Sequence, residues 1–388
     1  MTFKYQLIFL GDVENPACEE IKKRFYESTG QMGMPGEAFL NICATDFNAL
    51  YLNKQPSFVF YFGRKDHNDR DKVILEKLMA NGDAIIPVFF NDGAFYEEIP
   101  EVIQKMNGKQ YKTESVNRFA NYALESLRLL RENRKLFISY RRTDSTPVAN
   151  QLFDALVRNN YDVFLDAYSI GAARNFQEEL HHRLSDCDVL IQLYTENFKK
   201  SDWCIEEIVA ANQKQIGVVE IVWPGQKLDV HNHLCEPILL KPEDFEGGFK
   251  DASSVLTNAT LNKVLLIVES VRARNMAARQ DNLVGEFIAE ANKYGHKVVQ
   301  EYKYLIEHLE NGECRVYIPA VGVPQSYDCY RSLKFRDLLA NPSTKTYLIY
   351  DDLRIKRDWI NHLEWLNNST LEVKTIKKNE FAKWLKMN

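Results

Sequence analysis

An aromatic side chain and a carboxylate lie four residues apart in the segment SDWCIEEIVAANQ. On a helix, Trp203 and Glu207 would share one face, whereas Glu206 would point about 100 degrees away. Two arginines, Arg141 and Arg142, follow the apolar run LFISY earlier in the chain. A carboxylate beside an aromatic ring and near cationic side chains suits a substrate that has a flat ring and phosphates.

Each of these residue types also has a purely structural explanation. The helix dipole favours a carboxylate near a helix start, and tryptophan packs against sheets in many folds. The two arginines would be ordinary in a solvated turn, and adjacent residues diverge, so one of them is expected to point away from a site. The pattern alone therefore marks a candidate site and leaves its reaction open.

Alternating strand and helix patterns place these residues at one edge of a sheet. Four apolar runs predict strands, and the segments between them predict helices, with Pro147 in a first helical turn: LFISY, YDVFLD, DVLIQLY and GVVEIVW. Right-handed crossovers bring the C-terminal ends of parallel strands to a common edge. That edge would collect the arginines, the loop 166–176 and the start of the helix that carries Trp203.

Two further segments with strand and helix patterns flank this one. The first ends in a predicted closing helix from Ser115 to Arg134. In the last, LNKVLLIVESV predicts a strand before a long helix, and CRVYIPAV and KTYLIYDDL predict two more strands. The sequence thus predicts an α/β protein with domains at 1–133, 134–250 and 258–388. The first segment has the same strand, helix, strand order as the second but lacks its Trp and Glu. It is therefore either a degenerate relative of the second segment or simply another α/β unit.

Composition and charge exclude several classes of protein. The net charge of -5 gives no electrostatic reason to expect nucleic-acid binding. The seven cysteines form no CxxC pair, which predicts reduced thiols and a cytoplasmic location. No apolar run approaches the ~20 residues of a membrane span, and the N-terminus lacks the features of a signal peptide, so we expect no membrane partner.

The common catalytic signatures are missing from the sequence. It contains no GxxxxGK[ST], GxGxxG, GxSxG or HExxH motif, which leaves P-loop hydrolysis, Rossmann redox chemistry and serine hydrolysis without support. In HNHLC, the alternate residues His231, His233 and Cys235 would share one face of a strand. A fourth ligand is not evident, so a loop or hydrogen-bonded histidines are favoured and no metal is predicted.

Three segments taken together resemble one known family. In their order and spacing, LFISYRRTDS, YDVFLDAYSIGAARNF and SDWCIEEIVAA resemble the Toll/interleukin-1 receptor (TIR) domain, over roughly residues 135–245. The resemblance implies a flavodoxin-like parallel-sheet domain, flanked here by two further α/β domains. The WCxxE element is similar to that of TIR proteins that cleave NAD+. The chain departs from the family pattern at Ala173, where many relatives have glycine.

The resemblance also implies roles for individual residues. Glu207 would be the catalytic glutamate. The substrate-binding positions implied for NAD+ are Tyr140, Arg141, Arg142, Gly171, Phe176 and Trp203. Nicotinamide leaves NAD+ as a neutral ring, so one carboxylate that stabilises the oxocarbenium-like ribose could suffice. The aromatic side chains could stack on the pyridinium, and an arginine could pair with the pyrophosphate. NAD+ would then be a substrate, with no further cofactor, and the product would be ADP-ribose or a cyclic isomer.

Three classes of function remain open from the sequence. The first is an NAD+ glycohydrolase that acts in bacterial antiviral immunity, self-associates as an oligomer or filament, and responds to a nucleotide second messenger or a phage-derived trigger. The second is a TIR adaptor that works by assembly alone, and the third is an enzyme similar to nucleoside 2-deoxyribosyltransferases. In the last segment, Arg272 and Arg279 lie seven residues apart on nearly one helix face and could form a phosphate-binding wall, a subunit interface or a solvated face.

Overall fold

The structure is a computed structural model of the whole chain. It describes residues 4–31, 34–52, 55–66, 71–127, 129–131, 133–165, 176–198, 211, 213–227, 235–249, 251, 253–300, 304–338, 344–369 and 372–388. The chain divides into two compact units, Met1–Glu132 and Asn133–Asn388. The second and third predicted segments therefore share one unit, while their separation into domains stays a prediction.

The first unit is a five-stranded parallel sheet with helices between its strands. The strand order is β2-β1-β3-β4-β5, and β1 and β3 are buried along nearly their whole length, as expected for strands covered on both faces. Its elements are β1 (Tyr5–Gly11), α1 (Pro16–Gln31), β2 (Phe39–Cys43), α2 (Phe47–Leu50), β3 (Ser57–Phe62), α3 (Lys72–Ala80), β4 (Ala84–Phe89), α4 (Phe95–Glu98), β5 (Lys109–Gln110) and α5 (Val116–Ser126).

The predicted closing helix is shorter than its sequence pattern indicated. It was expected to reach Arg134, but α5 ends at Ser126. The reason is a C-terminal cap, because the backbone N–H groups of Leu129 and Leu130 both donate to the carbonyl oxygen of Leu124. Arg134 instead begins the first strand of the second unit.

The second unit begins with another five-stranded parallel sheet. Its strand order, β7-β6-β8-β9-β10, is the flavodoxin-like order 2-1-3-4-5, which the first unit also has. A shared order does not establish that the two sheets are related. The elements are β6 (Arg134–Ser139), α6 (Arg142–Arg158), β7 (Tyr161–Leu165), α7 (Phe176–Asp186), β8 (Val189–Tyr194), β9 (Gly217–Val222), β10 (Cys235–Leu239), and a two-stranded ribbon of β11 (Phe245–Glu246) and β12 (Val255–Leu256).

Side-chain alternation along these strands forms two cores. Leu136 and Ile138 of β6 belong to the apolar cluster that also contains side chains of α6. Phe137, between them, belongs to a second cluster with Leu180 of α7 and Leu190 of β8. The sheet is therefore buried on both faces, which explains why its strands are near-continuous apolar runs in the sequence.

The third sheet is mixed, with strand order β13-β14-β15-β16-β17. β15, β16 and β17 are parallel, whereas β13 and β14 pair antiparallel at one side. The elements are α8 (Asn258–Lys293), β13 (Val298–Gln300), β14 (Leu305–His308), β15 (Cys314–Ala320), α9 (Ser326–Leu338), β16 (Thr344–Tyr350), α10 (Arg357–Ser369), β17 (Val373–Lys377) and α11 (Phe381–Met387). The second unit therefore contains two α/β layers, and α8 joins them.

The segment LNKVLLIVESV, predicted as a strand, is the first half of helix α8. The prediction was wrong because a short apolar run fits a buried helix as well as a strand. Two features favour the helix: the Thr257 hydroxyl accepts from the Thr260 N–H as an N-cap, and Val264, Val268 and Val271 are buried in the core of the second sheet. Further along the same helix, Phe287 is buried in the core of the third sheet, so one helix serves both cores.

Candidate active site

Arg141 connects the C-terminal ends of β6 and β8. Its Nη1 donates to the carbonyl oxygen of Asn197, which follows β8, over 2.7 Å. Its side chain is partly buried, whereas Arg142, the first residue of α6, is exposed. The two adjacent arginines therefore differ in environment: Arg141 is bound to a neighbouring loop, and Arg142 lies at the surface of the same edge.

A carboxylate that the sequence analysis did not single out lies beside Arg141. The Asp144 carboxylate accepts hydrogen bonds from the hydroxyl groups of Thr195, over 2.9 Å, and Thr143, over 2.6 Å. Burial alone would raise the pKa of Asp144, but these hydrogen bonds and the charge of Arg141 outweigh it, so the pKa lies below its ordinary value. Asp144 is thus ionised at neutral pH. The only sequence signal was the hydroxyl-rich turn after the arginines.

The start of α6 is kinked at Ser145, whose φ of -145° and ψ of 18° are not helical. The Ser145 hydroxyl donates to the carbonyl oxygen of Arg141 over 3.3 Å. Pro147 therefore lies in the first turn of the regular part of the helix, where its missing N–H leaves no helical hydrogen bond unmade. The kink fixes the turn that carries Arg141 and Asp144.

A row of buried polar side chains crosses the second sheet beneath this edge. Ser139 of β6 is in register with Gln192 of β8, and Gln192 with Glu220 of β9; all three are at most 1% exposed. They lie on the sheet face of Phe137, which α7 covers. Among the residues that the structure describes, neither the Gln192 amide nor the Ser139 hydroxyl has a hydrogen-bond partner. Unpartnered buried polar groups are rare in proteins and call for an explanation such as a functional role.

Glu220, the third residue of this row, accepts a hydrogen bond. The Cys235 thiol donates to a Glu220 carboxylate oxygen over 3.3 Å. Burial, followed by this contact, raises the pKa of Cys235 to about 12, so the thiol stays protonated. The row was not predicted from the sequence, although Ser139 and Gln192 are polar residues inside the apolar runs LFISY and DVLIQLY.

Of the other predicted site residues, the structure describes Tyr140 and the start of the helix at Phe176. Tyr140 is buried in the apolar cluster on the opposite sheet face, the one that α6 covers. Phe176 is the first residue of α7, which begins directly after the predicted loop. Gly171, Trp203 and Glu207 lie outside the residues that the structure describes, as do Ala173, His231 and His233.

Helix α7 is held by loops of the third sheet. Lys356, just before α10, pairs with Glu179 of α7 over 3.1 Å. At the end of the helix, the Asp186 carboxylate accepts from the Val323 N–H over 2.9 Å. The helix that follows the predicted site loop is therefore positioned by the C-terminal part of the chain.

The two arginines of α8, for which the sequence left open a phosphate-binding wall, a subunit interface or a solvated face, lie in different environments. Arg272 is fully buried, and its Nε lies 2.9 Å from Oδ2 of Asp188, which precedes β8. Arg279 donates to the carbonyl oxygens of Cys187, over 2.8 Å, and Ser185, over 3.2 Å. The buried ion pair of Arg272 with Asp188 therefore holds α8 at the N-terminal edge of the second sheet.

The part of the chain that the structure describes contains no cluster of three or more His, Cys, Asp or Glu side chains that could hold a metal ion. No helix within the described ranges is long and apolar enough to cross a membrane.

A family model described as "TIR domain" matches residues 136–238. No curated protein matches the chain. Among solved structures, the TIR domains of the activated Roq1 resistosome, which directly recognises the pathogen effector XopQ, match with 21% identity and a TM-score of 0.23. That match covers 24% of this chain and 60% of the other.

The family match spans β6 through most of β10, and so contains the strand-end edge, the buried polar row and the WCIEE sequence. It also agrees with the 2-1-3-4-5 strand order of the second sheet. Residues 136–238 of this chain are therefore a TIR domain.

Proposed function

We propose that this TIR domain cleaves NAD+ at the bond between ribose and nicotinamide, with Glu207 as the catalytic carboxylate. The observation that supports the proposal is the TIR family match over residues 136–238, with the WCIEE sequence inside the matched range. The ribose–nicotinamide bond breaks and nicotinamide leaves as a neutral ring, while the ribose carbon forms a new bond either to water, which gives ADP-ribose and a proton, or to the adenine, which gives a cyclic isomer. The Glu207 carboxylate stabilises the positive charge that develops on the ribose as the bond breaks.

The buried polar row then has a use in the reaction. A substrate at this edge would offer ribose hydroxyls or the nicotinamide amide to the side chain of Gln192, for which the described part of the chain supplies no hydrogen-bond partner. A hydrogen bond between the Gln192 side chain and the substrate would offset the free-energy cost of burying the amide. Gln192 would act as a binding residue, with Glu207 supplying the charge.

The two arginines are assigned different tasks. Arg141 holds the strand-end loops together through Asn197, and its charge is close to Asp144. Arg142 is exposed at the start of α6 and is the better candidate to contact the pyrophosphate. Trp203 or Phe176 would stack on the nicotinamide ring.

We further propose that the enzyme works in bacterial antiviral immunity and is active only when a signal causes it to self-associate through its TIR domains. An NAD+ glycohydrolase that was always active would deplete a cofactor that its own cell needs. The contacts between α7 and the loops of the third sheet support a regulatory role for the C-terminal part, since they hold the helix next to the proposed site loop.

A pair of substitutions at neighbouring glutamates tests the assignment of Glu207. Nicotinamide release would be followed for the wild type, Glu207→Gln and Glu206→Gln, which is the matched control because its side chain would point elsewhere on the helix. We expect Glu206→Gln to stay near the wild-type rate and Glu207→Gln to lose roughly 10²–10³-fold. Equal rates in the two variants would refute the role given to Glu207.

A further inference from the structure

The Asp144 carboxylate joins the ends of two neighbouring strands of the TIR domain. Asp144 lies in the turn after β6, and Thr195 lies in the loop after β8, the strand that pairs with β6. The Thr195 hydroxyl donates to Oδ2 of Asp144 over 2.9 Å, and the side chain of Asn197, two residues further on, also hydrogen bonds to this carboxylate. One acidic side chain on the first segment therefore binds two side chains of the second.

Asp144 can hold the loop because its carboxylate is ionised. Burial alone would raise its pKa, but hydrogen bonds from side chains of both segments, with the charge of Arg141, hold the pKa below its ordinary value. Hydrogen bonds to an ionised acceptor are about twice as strong as those between neutral groups. The charge of Asp144 thus strengthens its contacts with Thr195 and Asn197.

Thr195 depends on this contact because its side chain lies in the interior. The residue is 3% exposed, and its hydroxyl donates to Asp144. A buried hydroxyl that loses its acceptor bears the free-energy cost of its lost hydration. Removing the carboxylate should therefore displace the loop after β8 instead of leaving it in place.

The loop 195–198 is short and ends in the core. Phe198 is 1% exposed and belongs to an apolar cluster with the last residues of β8 and β9. Its N–H donates to the carbonyl oxygen of Thr195 over 3.1 Å. The loop is therefore one hydrogen-bonded turn, bound to Asp144 at its start and buried at its end. Glu207 follows Phe198 by nine residues in the chain.

We propose that Asp144 is a positioning residue for the cleavage of NAD+. By holding loop 195–198 against the turn after β6, it fixes the start of the segment that carries Glu207. The inference rests on the proposed function, in which Glu207 is the catalytic carboxylate. Asp144 acts through the loop and not on the substrate. A displacement of about 1 Å at a catalytic group can cost ~10²-fold in rate, so the loop contact bears directly on kcat.

Two measurements on the full chain test this role separately. Steady-state nicotinamide release gives kcat and KM for NAD+. Hydrogen exchange of peptides that contain residues 194–198 reports whether the loop is held, with or without turnover. The variants are Asp144→Ala, Thr195→Val, which keeps the side-chain shape without the hydroxyl, and the two combined. Asp154→Ala is the matched control, because Asp154 is an exposed carboxylate on the same helix, α6.

We expect Asp144→Ala to lower kcat roughly 10-fold or more, with KM within about twofold of the wild-type value, and to speed exchange in loop 195–198 by roughly 10-fold. Thr195→Val should change both quantities in the same direction by less. The double variant should match Asp144→Ala within about twofold, since two residues that act through one contact are not additive. Exchange in the first unit, and both measurements for Asp154→Ala, should stay at wild-type values.

The other outcomes separate this inference from the proposed function. A fall in kcat without faster exchange in the loop would overturn the inference, because Asp144 would then act on the substrate. Faster exchange throughout the chain would also overturn it, in favour of a general loss of stability, as would unchanged kcat and exchange in Asp144→Ala. If the wild type releases no nicotinamide while Asp144→Ala still speeds exchange in the loop alone, the loop contact is confirmed and the proposed function fails.

Discussion

Arg272 and Asp188 form an ion pair in which neither side chain is exposed, with 2.9 Å between Arg272 Nε and Asp188 Oδ2. The pair joins α8 to the residue just before β8. Close by, Arg134 at the start of β6 pairs with Glu269 of α8 over 2.6 Å. Buried charges such as these are tolerated only when matched, so they fix where α8 lies on the TIR domain.

Removing one partner of this pair should be strongly destabilising. Arg272→Met removes the guanidinium from the buried Asp188 carboxylate, and we expect the free energy of unfolding to fall by about 3–5 kcal/mol. Arg274→Met is the matched control, because Arg274 pairs with Glu236 at the surface and such pairs contribute about 0–1 kcal/mol. Chemical denaturation of the full chain measures both. Similar decreases in the free energy of unfolding of the two variants would show that the buried pair stabilises the fold no more than the surface pair does.

Gln192 should show a trade-off between stability and activity. Gln192→Leu removes a buried amide that has no hydrogen-bond partner within the described ranges, so we expect stability to be unchanged or to rise by about 1 kcal/mol while NAD+ cleavage falls. Gln151→Leu is the matched control, since the Gln151 amide makes two 2.8 Å hydrogen bonds to the backbone of Leu256. That substitution should cost about 1–3 kcal/mol. If Gln192→Leu is as destabilising as Gln151→Leu, the amide has a structural partner and our interpretation fails.

Substitution of Arg142 should change the KM for NAD+, whereas substitution of Arg141 should change the free energy of unfolding. Arg142→Gln removes the proposed contact with pyrophosphate and should raise KM for NAD+ about 10-fold or more, with little change in stability. Arg141→Gln removes the hydrogen bond to Asn197 and should lower the free energy of unfolding by about 1–2 kcal/mol. Steady-state kinetics and denaturation of both variants give the comparison. The reverse pattern would exchange the roles that we assign to them.

The contact between Lys356 and Glu179 should make stability depend on pH. Burial alone would raise the pKa of Glu179, but the hydrogen bond and charge of Lys356, with Arg183, hold it below its ordinary value of 4.5. A folded-state pKa below the unfolded one contributes stability above the unfolded pKa, and that stability is lost as pH falls through the folded pKa.

Lys356→Met should therefore reduce the free energy of unfolding at pH 7 and flatten its decline below about pH 4.5. Lys386→Met, which changes an exposed lysine of α11, serves as the control. Unfolding measured from pH 7 down to pH 3 in roughly one-unit steps would check this, following the linkage of protonation to stability. Parallel curves for wild type and Lys356→Met would contradict the expectation.

The sequence predicted the parallel sheet of the TIR domain well, because strands such as β8 are buried on both faces and read as continuous apolar runs. It could not distinguish the first half of α8 from a strand. That choice depends on packing of Val264 and Val268 against a core far away in the chain.

The candidate site was predictable only in part for a similar reason. The edge position of Arg141 follows from right-handed connections between parallel strands. The contacts of Asp144 with Thr195, and of Arg141 with the Asn197 carbonyl, join residues distant in sequence. Such contacts depend on the relative placement of whole elements, which local patterns do not encode.

The central claim is that this TIR domain is an enzyme, and nicotinamide release by the assembled protein tests it most directly. Purified chain would be concentrated until light scattering shows self-association, and NAD+ and nicotinamide would be followed together. Our account predicts that one nicotinamide appears for each NAD+ lost, and that Glu207→Gln assembles without releasing it. Assembled wild-type protein that leaves NAD+ intact would contradict the account and favour an adaptor that works by assembly alone.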